Sequence, residues 1–229
     1  MQAPNEQAGR LIVTADDWGY SPRVNEGIEE AARCGALDAV SAMVLRSDCD
    51  PGPLRECRVA VGLHLELPER SGGRELLDAP WRQAEVFETI FGAPPAHIDG
   101  HHHCHASLPL ASAAEDLAAD LRVPLRAVGE DHRFRLQERG ILCAHRLVGR
   151  LSEADPALPW AIAEAIDEGA LPWGVTEWMV HPGRADPAAE TGYNEAREED
   201  LALVLELAEN ELLRDARSTH RLALAGSTR

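Results

Sequence analysis

The chain has 229 residues, 45% hydrophobic and 27% charged, with a formal net charge of −17. That length suits one domain with a substantial core, and the charge disfavours nucleic acid and anionic membrane surfaces as partners, because both repel it. No apolar run approaches the ~20 residues that cross a bilayer, and Met1 to Arg10 lacks the apolar centre of a secretory leader, so the expected location is the cytoplasm. Five cysteines, an odd number without a Cys-x-x-Cys pair, argue against a disulfide framework or a structural zinc knuckle.

In chain order, Leu11 to Ala15 is a short run suited to a buried strand, and it ends in Asp16-Asp17-Trp18-Gly19. Ser21 reads as an N-cap with Pro22 at the first helical position, and Val24, Ile28 and Ala31 fall at helical spacing before Gly35 stops the helix. Ala39 to Leu45 and Val59 to Leu63 read as strands, Pro68 to Arg74 as a polar loop, and Trp81 to Phe91 as a helix. Ala96 to Asp99 is a short strand opening into His101-His102-His103-Cys104-His105. Leu110 to Leu121 is helix-like, and Val123 to Arg126 starts a further strand. Trp160 to Glu168 and Glu198 to Arg214 read as helices, with Val175 to Val180 as a strand between them. Leu222 to Ala225 reads as a last strand.

Strands alternating with helices imply a mainly parallel α/β sheet. With about seven strand candidates, a distorted or incomplete TIM-like (β/α) barrel is favoured over an open doubly wound sheet. No Gly-x-Gly-x-x-Gly follows the first strand, so no dinucleotide site is indicated. A single domain over 1–229 is expected, with flexible termini at 1–10 and 226–229. A homodimer is compatible with a barrel of this size.

The polar motifs all follow strands. Asp16-Asp17, His64, the histidine cluster and His181 each sit at a C-terminal strand end, the rim where barrel active sites form. Each also has a plainer reading. An aspartate after a strand can cap a helix, and a lone histidine such as His64 can be packed and hydrogen-bonded. The alternation in Gly62-Leu63-His64-Leu65-Glu66-Leu67 turns His64 and Glu66 away from the leucines. The run from His97 to His105, interleaved with Asp, Gly and Cys and fed by an apolar strand, points to metal or catalytic use. One carboxylate and two imidazoles with open positions suit Zn²⁺, Mn²⁺, Fe²⁺ or Co²⁺, and Mg²⁺ less well.

Thr14 to Gly19, Gly62 to Leu65, His97 to His105 and Met179 to Gly183 follow one another in the order and spacing of the YdjC-like carbohydrate deacetylases, which include the chitooligosaccharide (chitin disaccharide) deacetylases. The resemblance runs from about Leu11 to about Leu212. It implies a distorted (β/α) barrel, one divalent metal held by Asp17, His64 and His101, and Asp16 as the base. The substrate it implies is an N-acetylated sugar. Trp18 and Gly100 stand where Phe and Ser are commoner in the family, and the segment between His64 and His97 is short, which bears on the sugar more than on the chemistry.

For the leaving nitrogen, His181 on the turn Val180-His181-Pro182-Gly183 is the candidate acid, or else pins that turn. His103 or His105 are the other candidates, or orient Asp16 or a ligand, and Asp99 is expected to hold an imidazole in its ligating tautomer. Arg126 reads as a surface ion pair, as a contact to the sugar or oxyanion, or as a support behind the catalytic and ligating residues. Glu177 and Tyr193 stay outside the catalytic set. Arg126 and Arg184 are the only obvious basic residues near the motifs, which disfavours a two-metal phosphoesterase. The second carboxylate disfavours the other rival, a non-catalytic metal- or sugar-binding barrel.

Overall fold

The computed structural model of the protein describes residues 10–67, 74–149, 174–189 and 193–209. In chain order the elements are β1 (Arg10–Trp18), α1 (Pro22–Arg33), β2 (Ala39–Ala42), α2 (Gly52–Arg55), β3 (Ala60–Leu65), α3 (Arg74–Phe91), β4 (Ile98–Gly100), a 3₁₀ segment (His101–Ala106), α4 (Leu110–Leu121), α5 (Gly129–Glu138), β5 (Arg146–Gly149), β6 (Val175–Val180) and α6 (Ala196–Ala208). The six strands form one sheet in the order β4-β3-β2-β1-β6-β5, every neighbouring pair parallel. This is the expected distorted barrel, an α/β sheet that curls into a half-barrel among the described residues. No described helix is long and apolar enough to cross a membrane.

β1 lies in the middle of the sheet, which explains its composition. Every residue from Leu11 to Trp18 is buried, as a strand covered on both faces requires. α1 begins as its sequence dictates: Ser21 Oγ accepts from Val24 N–H at 3.3 Å and Pro22 fills the first turn. Gly35, at φ 72°, takes the left-handed position past the helix end. Val24, Ile28 and Ala31 are fully buried and join Leu11, Val13, Val40, Leu63 and Trp178 in the main core.

Several expected boundaries move. α3 starts at Arg74, seven residues before the expected start at Trp81, and runs through Pro80. Val123 to Arg126 is not a full strand. Leu125 makes one parallel bridge to Ile98, since Pro124 has no N–H to offer a ladder. β5 and α5 have no sequence counterpart: β5 is a four-residue edge strand opening on an exposed Arg146, and α5 buries only His132 and Leu136. α6 starts two residues earlier than expected. The expected helix at 160–168, the strand at 222–225, the loop from 68 to 73, most of the expected flexible termini and the end of the last helix lie outside the described residues.

Candidate active site

In a regular strand Asp16 and Asp17 would point to opposite faces. Here β1 departs from regularity. Its pairing with β2 steps from Ala15–Val40 to Trp18–Ala42, so three steps on β1 match two on β2. This bulge coincides with Asp17 at φ 72°, a left-handed backbone uncommon outside glycine. The irregularity turns both carboxylates toward the carboxyl rim. A tight turn follows, with Tyr20 N–H donating to the Asp17 carbonyl at 3.0 Å and Gly19 N–H to Asn25 Oδ1 at 2.7 Å.

Asp17, His64 and His101 each place one donor atom within 4.8 Å of the others. Asp17 Oδ1 lies 3.3 Å from His64 Nε2 and 3.0 Å from His101 Nδ1. β3 and β4 set His64 opposite Asp99 in register, and His64 Nδ1–H donates to Asp99 Oδ1 at 2.7 Å. That bond fixes the tautomer and leaves the Nε2 lone pair facing the lone pairs of Asp17 Oδ1, so the gap calls for a proton or a cation. Without a metal, protons fill the role. His64 is pushed up to about 10: burial works against its charge, but Asp99, Asp16 and the bond to Asp17 outweigh it. Burial likewise favours a neutral Asp17, yet bonds from His101 and His64 and the charge of Arg197 hold its carboxyl well below the usual range. The donor set fits a borderline divalent cation: one carboxylate oxygen and two imidazoles, one of them oriented by a buried carboxylate.

Asp99 also accepts from Ser41 Oγ at 2.7 Å, and the hydroxyl in turn accepts from His97 Nε2 at 2.9 Å. Gly62 makes room for this arrangement. A Cβ there would lie 2.3 Å from the His97 ring, so the glycine of Gly62-Leu63-His64 serves His97 rather than a turn.

Arg126 is neither a surface ion pair nor open to a sugar. It is 3% exposed. Its Nη1 and Nη2 grip Asp16 at 2.6 and 2.8 Å, Nη2 also lies 2.8 Å from Asp99 Oδ2, and Nε donates to Glu177 Oε1 at 2.9 Å. The planar fork matches the Asp16 carboxylate. A second trio of potential ligands, Asp16, His64 and Asp99, already has its cation, because the Arg126 guanidinium sits between the two carboxylates. Glu177 is raised from the ordinary glutamate value, first by burial, with the Arg126 charge pulling the other way.

Asp16, His64, Gly100 to His103, Met179, His181 and Tyr193 line a cavity of about 170 Å³. His181 follows β6, is buried, and stacks on Tyr193 with ring centroids 4.6 Å apart. Its Nδ1 has no hydrogen-bond partner among the described residues, and burial pushes its basicity down against the pull of Asp17 and Asp16. Asp200 of α6 accepts from the His181 backbone N–H at 2.9 Å. The loop that follows packs closely on α1: a Cβ on Gly27 would stand 2.4 Å from Gly183 Cα, so Gly27 has no room for a side chain.

His102 and His103 take left-handed backbone angles in succession, which carries the chain around the cavity mouth. His103 lines the cavity, whereas His105 is fully buried behind it, donating from Nε2 to the Arg126 carbonyl at 3.0 Å. Arg184 pairs with Glu30. Arg197, a residue the sequence reading passes over, is wholly buried against Asp17.

His97 and His105 carry a pH prediction. Burial pushes His97 down to about 4 and His105 to about 3, against about 6.5 in an unfolded chain. Below pH 6.5 the unfolded chain takes up protons that the folded one refuses, so stability falls as the pH drops toward 4. In metal-free protein each histidine should cost roughly 2 kcal/mol by pH 4.5. Urea unfolding at pH 7.0 and 4.5 measures the loss, and His105→Gln should remove part of it. An equal slope in that variant would clear His105 of the role.

These features define a class: a distorted parallel (β/α) barrel with a buried carboxylate–imidazole cluster at its carboxyl rim. A family model described as "YdjC-like protein" matches residues 10–82 and 74–215, and the chain belongs to that family. It is 28% identical over 240 residues to the carbohydrate deacetylase of Geobacillus stearothermophilus, covering 86% of this chain and 92% of that one. The chitooligosaccharide deacetylase of Serratia marcescens is 30% identical over 159 residues, 55% of this chain and 62% of that protein. The human carbohydrate deacetylase is 33% identical over 132 residues, 42% of this chain and 41% of that one. The chain thus spans about half the length of these last two relatives. Among solved structures, an Enterococcus faecalis protein named for cellobiose-phosphate cleavage superposes with a TM-score of 0.75 at 21% identity, covering 91% of this chain and 94% of that one. A family 4 carbohydrate esterase from Streptomyces lividans gives 0.55 at 15% identity, over 93% and 92%. Both likenesses concern the fold.

Proposed function

We propose that the protein is a metal-dependent carbohydrate deacetylase, hydrolysing the acetamide of an N-acetylated sugar. The observation that carries this reading is the convergence of Asp17, His64 and His101 on one point beside a cavity that also contains Asp16 and His181. The names of the relatives above supply the substrate class; the site supplies the chemistry.

Asp17, His64 and His101 would hold one divalent cation, with Zn²⁺, Co²⁺ or Mn²⁺ matching the two nitrogen donors better than Mg²⁺. When bound, such a cation polarises a carbonyl oxygen and acidifies water. The protein's own residues do the rest. Asp16 is the base: Arg126 uses one lone pair on each carboxylate oxygen, and each oxygen keeps another for an attacking water. Burial favours the neutral form of His181, and its Nδ1, unpartnered among the described residues, can receive that proton and deliver it to the leaving nitrogen. The cavity of about 170 Å³ suits an acetamido group with part of one sugar ring.

The phosphoesterase reading needs a second cation, and its natural position, between Asp16 and Asp99, is taken by Arg126. A purely binding role gives Asp16 no task.

The test is calorimetric titration of chelator-stripped protein with Zn²⁺, Co²⁺, Mn²⁺ and Mg²⁺, on wild type and His64→Ala. One tight site per chain, weakened about 100-fold or more in the variant, is expected, followed by acetate release from N-acetylglucosamine oligomers. If folded wild type binds none of the four, both the ligand set and the mechanism fall.

A further inference from the structure

Arg197 opens α6, and none of its surface reaches solvent. Its Nη2 donates to Asp17 Oδ2 at 2.7 Å, while Oδ1 of the same carboxylate faces His64 and His101. Nε and Nη1 are buried without hydrogen-bond partners among the described residues, and the guanidinium lies 5.4 Å from the centre of the Tyr20 ring. Leaving two of three guanidinium nitrogens unsatisfied is costly, and packing alone would favour an apolar residue here. The same turn of α6 ties down the loop after β6: the Arg197 carbonyl accepts from Gly183 N–H at 3.2 Å, and Asp200 accepts from His181 N–H.

We infer that Arg197 is a positioning residue that restricts Asp17 to a single ligating oxygen and ties that oxygen, through α6, to the loop carrying His181. The inference rests on the single-metal reading above. Arg197 turns Oδ2 toward itself and away from the two imidazoles, so Oδ1, which faces His64 and His101, is the oxygen placed for the cation. A fixed positive charge beside the carboxylate also weakens it as a donor, which leaves the bound cation more electron-poor. Arg197 therefore trades metal affinity for reactivity.

Co²⁺ is the probe, because its visible absorption reports coordination number. Arg197→Met should bind Co²⁺ at least tenfold more tightly by calorimetry, with a weaker visible band as Oδ2 joins the ligand set. Its kcat on an N-acetylglucosamine oligomer should fall at least tenfold with KM within threefold. Arg197→Lys, which keeps the charge, should return the Co²⁺ affinity and band toward wild type. Wild-type affinity and spectrum in Arg197→Met would overturn the inference, as would weaker binding in both variants, which would make Arg197 a mere prop. Should Arg197→Met fail to fold, Arg197→Lys decides alone, and loss of Co²⁺ affinity there overturns the inference. Failure of wild type to bind Co²⁺ strikes the metal-centre reading itself, a separate result.

Discussion

Replacing Asp16 by Asn is expected to lower kcat about 10³-fold, the range for removing a general base, while Zn²⁺ or Co²⁺ affinity stays within about threefold. The two effects separate because Asp16 is outside the Asp17–His64–His101 trio yet lines the same cavity. Asn keeps the shape of Asp but sets an amide N–H₂ against one Arg126 donor, where the carboxylate now accepts at 2.6 and 2.8 Å. A destabilisation of about 1–3 kcal/mol should accompany the change, so the rate must be read on protein shown to be folded and metal-loaded. KM should move little, since Asp16 acts on water rather than on the sugar. A kcat within tenfold of wild type would remove Asp16 as base and shift attention to His103, which lines the same cavity.

The site was legible where the strand rule applied. In a parallel sheet every strand delivers its C-terminal residues to one rim, so Asp16-Asp17, His64, the histidine cluster and His181 could be brought together from position, while the family resemblance singled out His101 within the cluster; these residues do meet. What escaped was set by distant parts of the chain or by backbone irregularity. Arg197 lies 180 residues from Asp17, in a charged Arg-Glu-Glu-Asp run that resembles any solvated helix start. Nothing in its local pattern marks it as buried. The bulge that aims two adjacent carboxylates at one cavity also leaves no trace, because the left-handed residue is Asp17 rather than a glycine. The partners of Arg126 were out of reach for a related reason: a single arginine after a short apolar run says nothing about three carboxylates arriving from β1, β4 and β6. α5 and β5 were invisible because one lacks an apolar stripe and the other is four residues long.

That three-carboxylate arrangement makes Arg126→Met the most damaging substitution for stability. Asp16, Asp99 and Glu177 are all buried around one guanidinium, and the variant would leave them without it. Removing one partner from a buried ionic cluster typically costs about 3–5 kcal/mol, a melting-temperature fall of about 10 °C for a chain this size. The pH dependence gives the sign. Carboxyls that lose their counter-charge have folded pKa values above their unfolded ones, so the penalty is full at neutral pH and eases as acid neutralises them. The gap between wild type and variant should therefore narrow from pH 7.5 to pH 5. Arg126→Lys separates charge from shape: one ammonium restores part of the stability but cannot grip both Asp16 oxygens and Glu177 together. Its kcat should stay about 100-fold down even where its melting temperature recovers. Full recovery of both would mean that Arg126 supplies charge alone, and that Asp16 needs no fork to hold it in place.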